Sequence, residues 1–206
     1  MRFQSLLCVV LFLPLAPLAS AGPITYNVTV NTSSIAGTAG SLDLNFNPGP
    51  QVTQAANLQI LNFASNGTLA GSPSLTGDVS GTLPGTLSFD NGTGFDDYFG
   101  RFTYGSTLSF EVMLCGLALS SPNGTAASGS TFAFSMFSDA AGTIPALTTD
   151  LVDGFAATID VNLVGTTTVT NFSPQTSISA VPEPSSVVLI GTALGGLLWF
   201  RRPRPA

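Results

Sequence analysis

The chain reads as all-β: an antiparallel β-sandwich ectodomain, jelly-roll or immunoglobulin-like, followed by one C-terminal transmembrane helix. Three observations lead there. Apolar and polar residues alternate with a period of two in run after run. Turn dipeptides separate the runs. No long 3.6-residue periodicity occurs outside the two hydrophobic ends.

In chain order, Tyr26, Val28 and Val30 alternate with Thr25, Asn27, Thr29 and Asn31. Leu42, Leu44 and Phe46 alternate with Asp43 and Asn45, and Pro48-Gly49-Pro50 ends that run. Asn66-Gly67 and Asn91-Gly92 are the next turn signals. Leu108, Phe110, Val112 and Leu114 alternate with Ser109 and Glu111. Asn123-Gly124 follows, and then Phe132, Phe134 and Met136 share one face. After Asp153-Gly154, Ile159, Val161 and Leu163 alternate with Asp160 and Asn162. Each run is the signature of a half-buried strand, and the 15 phenylalanines supply bulk for a core between two sheets. Asn-Gly-Thr recurs at 66, 91 and 123, but at unequal spacings, so it marks no repeat.

The two ends are different in kind. Arg2, the apolar stretch Leu6 to Leu18 and Ala19-Ser20-Ala21 form the three parts of a secretory signal. Signal peptidase cleavage between Ala21 and Gly22 is expected. Cys8 lies inside the apolar stretch, so no lipidation cysteine stands at that point. At the other end Val181-Pro182-Glu183-Pro184 leads into an apolar run, Ser185 to Phe200, closed by Arg201, Arg202 and Arg204. As a helix the run is about 24 Å long, short for a hydrocarbon core of about 30 Å. The arginines favour the cytoplasmic side, which places the domain outside. Gly191 and Gly195 form a G-x-x-x-G pair, a weak signal for helix pairing. The expected organisation is a signal peptide (1–21), ectodomain (22–172), stalk with motif (173–184), membrane helix (185–200) and basic tail (201–206).

The ordered set of Pro-Glu-Pro motif, apolar helix and basic end resembles the PEP-CTERM sorting signal of bacterial exported proteins. The resemblance covers about residues 181 to 206. It implies that Val181, Pro182, Glu183 and Pro184 are recognised by an exosortase-like membrane enzyme. It further implies that the tail is removed during sorting to the surface or extracellular polymer. These are a substrate's residues, not catalytic ones. The proline pair also keeps the segment extended, which a processing enzyme can grip. Tyr26 to Ser34 and Ser41 to Pro50 resemble a recurrent group of PEP-CTERM proteins, a match that carries no activity over.

Composition narrows the chemistry of the exported part. Ten acids stand against one base, Arg101, for a net charge of −9 over residues 22–180. The whole chain has no histidine and no lysine. A Ser–His or Cys–His nucleophile, a lysine Schiff base and a histidine-ligated zinc or copper site are therefore excluded. A lone arginine in an acidic domain gives no footprint for nucleic acid. Cys115 is the sole cysteine after signal cleavage, so no intramolecular disulfide forms, and it is expected as a buried inert thiol.

Three further groups of residues are weighed. Asp90, Asp96 and Asp97 crowd one loop and could donate oxygens to calcium, although the spacing is not that of an EF-hand and a solvated acidic turn is the more ordinary explanation. Tyr98, Arg101 and Tyr104, with Phe95, Phe99 and Phe102, could stack against a sugar or simply pack the core. Asn27, Asn31, Asn66, Asn91, Asn123 and Asn171 stand in N-x-S/T sequons, which turn chemistry explains without a glycan at the Asn-Gly-Thr sites. The leading expectation is a non-enzymatic, exosortase-sorted structural or adhesive protein of the cell surface or exopolysaccharide matrix. No cofactor is expected beyond a possible calcium ion. The alternatives are a carbohydrate-binding module and, more remotely, an acid-only hydrolase.

Overall fold

The computed structural model describes residues 22–182. Its strands are β1 (Ile24–Asn31), β2 (Ala39–Pro48), β3 (Asn57–Ser65), β4 (Thr68–Thr76), β5 (Val79–Gly81) and β6 (Leu87–Asp90). These are followed by β7 (Asp97–Thr103), β8 (Thr107–Cys115), β9 (Ser130–Phe137), β10 (Phe155–Val161), β11 (Thr167–Asn171) and β12 (Thr176–Val181). A single helical turn, α1 (Leu117–Ser120), follows β8.

The strands form two six-stranded sheets, ordered β12-β1-β8-β3-β6-β5 and β11-β10-β9-β2-β7-β4. All pairings are antiparallel. The chain changes sheet at each step from β1 to β5 and again from β6 to β9. The alternating positions expected from the sequence face inward: Val28 and Val30, Leu42, Leu44 and Phe46, Leu108, Phe110, Val112 and Leu114, and Phe132, Phe134 and Met136 are all buried between the sheets. Phe110 meets Phe134 across the sandwich edge-to-face, with centroids 5.1 Å apart, a preferred aromatic geometry. Tyr26 ties the sheets together at one end, its hydroxyl 2.6 Å from Thr167 Oγ1.

Three expectations are corrected. Residues 173–181 are not a stalk: Thr176–Val181 pairs with β1 from Val30↔Thr176 to Thr25↔Val181, and Ile178 packs against the core. A short Ser/Thr-rich strand at a sheet edge reads like a linker, because its outward residues need not be apolar. Leu163 does not continue the inward alternation of Ile159 and Val161. β10 stops at Val161, and Leu163 lies 46% exposed in the turn where Asn162 N donates to Thr166 O. Cys115 is partly exposed rather than buried, because it ends β8 one residue beyond the inward-facing Leu114.

No helix among the described residues is long and apolar enough to cross a membrane. The signal segment 1–21, Glu183, Pro184, the expected span 185–200 and the arginines at 201, 202 and 204 lie outside the described residues.

Candidate functional site

The junction at Val181 and Pro182 is set by strand pairing. β12 is an outer strand of its sheet, bonded to β1 alone, and its last pair is Thr25↔Val181. Pro182 has no N–H to donate, so it suits the position where the ladder stops. The first proline of the motif thus stands flush with the end of the sandwich, with no stalk before it. Gly22 lies two residues before β1, so signal cleavage after Ala21 would leave that strand whole.

The acidic loop does not assemble as a metal site. Among the described residues no three His, Cys, Asp or Glu side chains are grouped to hold a metal ion. Asp96 is fully buried and serves as a structural acceptor. Its Oδ1 takes the Asp78 N–H at 2.6 Å and a very short hydrogen bond from the Thr93 hydroxyl, while its own N–H donates to Asn47 Oδ1 at 2.7 Å. Asp90 is exposed and accepts from Asn57 Nδ2 at 2.6 Å. Asp97 starts β7 opposite Asn45, on the face that carries Asp43. The three carboxylates diverge because a loop and two differently facing positions hold them.

Asp97 instead pairs with Asp43, a partner that sequence reading missed. Burial, then a hydrogen bond and like-charge repulsion from Asp43, push the Asp97 carboxyl up to about 8. Asp97 Oδ1 is buried and has no hydrogen-bond partner, and a protonated Asp97 carboxyl could donate toward Asp43 where two carboxylates would repel. Asn45 Nδ2 donates to Asp43 Oδ1 at 3.2 Å, which holds the acceptor in place. The β2–β7 register alone brings the two acids together, and no local sequence signal encodes it.

The aromatic reading is corrected as well. Tyr98 and Tyr104 are each only 2% exposed and belong to the core, so neither ring can stack on a sugar. The Tyr104 hydroxyl lies 2.7 Å from Ser41 O and 3.1 Å from Phe137 O and donates between these two carbonyls. Burial pushes both phenols up. Arg101 alternates away from them and is exposed on the outer face of β7. Phe95, at 54% exposed, is the one member of the group with most of its ring free.

Several sequon asparagines are structural. Asn91 is buried, accepts from Ala56 N at 2.9 Å and donates to Gln54 O and Ser130 Oγ. Asn66 Oδ1 accepts from the N–H groups of Ser106 and Thr107, and Asn123 Oδ1 from those of Thr125 and Ala126. These are turn bonds that the side chain supplies to the backbone.

The junction at Pro182 remains the one feature with an assigned role. Residues 180–202 match a family described as the PEP-CTERM protein-sorting motif. The chain carries a PEP-CTERM sorting motif. That motif implies export, anchoring at the membrane before processing, and processing by an exosortase. The match begins at Ala180, so the PEP-CTERM segment overlaps the last two residues of β12. No curated protein and no solved structure matches the chain.

Proposed function

We propose that this is an exported structural or adhesive protein whose sandwich is delivered to the cell surface or extracellular polysaccharide by exosortase processing. Signal peptidase acts first between Ala21 and Gly22, and a single helix over 185–200 then holds the chain with Arg201, Arg202 and Arg204 inside. One observation supports the reading above others: the sorting motif follows the last strand directly. Among the described residues the last strand ends at Val181, which suits a passenger domain placed directly ahead of its sorting signal. A jelly-roll rather than an immunoglobulin-like winding is favoured, because most successive strands cross between sheets, with hairpins within one sheet only at β5–β6, β9–β10 and β10–β11 among the described residues.

A non-catalytic role rests on the side chains available. The domain lacks histidine and lysine. Its raised acid, Asp97, lies on a strand face beside Asp43 and Asn45, where Asn45 Nδ2 donates to Asp43 Oδ1, a set with no nucleophile or base beyond the two carboxylates. The carbohydrate-binding alternative loses its aromatic basis with the burial of Tyr98 and Tyr104.

Intact and peptide-level mass spectrometry of the mature protein from its own host tests the proposal. A chain starting at Gly22 and ending near Pro182-Glu183-Pro184 is expected, with any added mass identifying the attached group. A mature chain that retains Arg201 to Ala206 would overturn it in favour of a lasting anchor.

A further inference from the structure

We infer that one end of the sandwich is a membrane-apposed surface, whose apolar loops rest in the lipid interface while the precursor awaits processing. The inference rests on the anchored precursor proposed above and adds which face meets the bilayer and through which residues. The strand register fixes the geometry. Ile24 pairs with Leu114 and Thr25 with Val181, so the start of β1 and the end of β12 share one end of the molecule. Both hydrophobic segments of the precursor therefore join the sandwich there. Only Pro182 to Pro184 separate Val181 from the apolar run beginning at Ser185. Three extended residues span about 10 Å, so this end cannot stand far from the bilayer surface.

The loops at this end carry the matching chemistry. Val52 is 70% exposed, Leu117 57%, Val164 74% and Phe95 54%. Their segments interlock: Val52 O accepts from the N–H groups of Ala127 and Ser128, and Ala118 N donates to Ala55 O. Asp96, next to Phe95, is bonded to Asn47 near the end of β2. Exposed Asp78 and Asp90 lie at the same end, and Arg101, the one base of the ectodomain, lies on the exposed face of β7, away from these loops. The surface thus suits a zwitterionic interface through apolar contact rather than anionic lipid through charge. The opposite end exposes Ile144 at 57%, Leu151 at 75% and Val152 at 91%, so it is the place where both hydrophobic segments join the sandwich, not apolar exposure alone, that selects the membrane-facing end. The Val152 loop joins Phe172, just ahead of the start of β12, through Thr149 N–H. The eight residues of β1 put about 26 Å between the two ends.

Depth-dependent quenching in the full chain tests this. Trp199→Phe removes the native tryptophan, and a reporter is placed by Val164→Trp, by Val52→Trp, or by Val152→Trp as the distal control. Each chain is reconstituted into phosphatidylcholine vesicles with or without phosphatidylcholine brominated near the top of its acyl chains. The expected result is at least twofold quenching at positions 164 and 52 and none at 152. Equal quenching at all three positions would mean that the domain lies on its side, and would overturn the inference. An absence of quenching at 164 and 52 in chains that co-float with vesicles would overturn it too, with the anchor left standing. Chains that fail to co-float would remove the anchored precursor and this inference together.

Discussion

At the scale of single residues, Asp97 makes the clearest physical claim. Its pKa is raised in the folded protein, from an ordinary carboxylate value to about 8. The native state then binds more protons than the unfolded chain between about pH 4 and pH 8, so stability is present at the acid end and is lost as pH rises through that window. Asp139 acts elsewhere. Desolvation there works upward but is outweighed by hydrogen bonds from the Ile144 and Thr143 N–H groups, the Thr143 hydroxyl and the Ala141 N–H, so its carboxyl is lowered. Its contribution is lost only as pH falls below the usual carboxylate range. Urea midpoints are therefore expected to drop between pH 5 and pH 8. After discounting for water screening at the strand surface, the loss is about 2 kcal/mol. Asp97→Asn should flatten that slope, since an amide stays neutral and can still donate toward Asp43. A wild-type slope that survives the substitution would place the effect in another group.

At the scale of elements, the legible strands were those with one wet and one buried face. In β1, β2 and β8 the apolar residue recurs every second position, and each such residue is buried except Ile24 at the start of β1, which is partly buried. β4 and β12 escape that rule. Both are outer strands whose residues are mostly exposed, so their Ser, Thr and Gly content carries no alternation. β12 nevertheless covers one edge of β1 and brings Ile178 onto the core. Deleting residues 176 to 182 from a secreted ectodomain should therefore destabilise it by about 2–4 kcal/mol, from lost apolar burial and the bared β1 edge. Truncation after Pro182 should cost nothing measurable. Equal chemical denaturation curves for the two truncations would restore the reading of 173–181 as a linker.

At the scale of the whole molecule, the sorting motif was legible because it is contiguous: prolines, apolar run and arginines sit in order along the chain. Sites built across strands were not. Asp43 and Asp97 meet only through the β2–β7 register, and the burial of Tyr98 and Tyr104 follows from which face of β7 turns inward. The same contiguity bears on what processing does to the fold. Among the described residues every strand pair closes at or before Val181, so cleavage next to the motif removes none of those pairs. The processed product should unfold within about 2 °C of the detergent-held precursor, since 1 kcal/mol moves Tm by roughly 2–4 °C at this size. A larger fall in Tm on processing would show that residues beyond Val181 pack onto the sandwich, and the domain would then no longer be a passenger complete before its sorting signal begins.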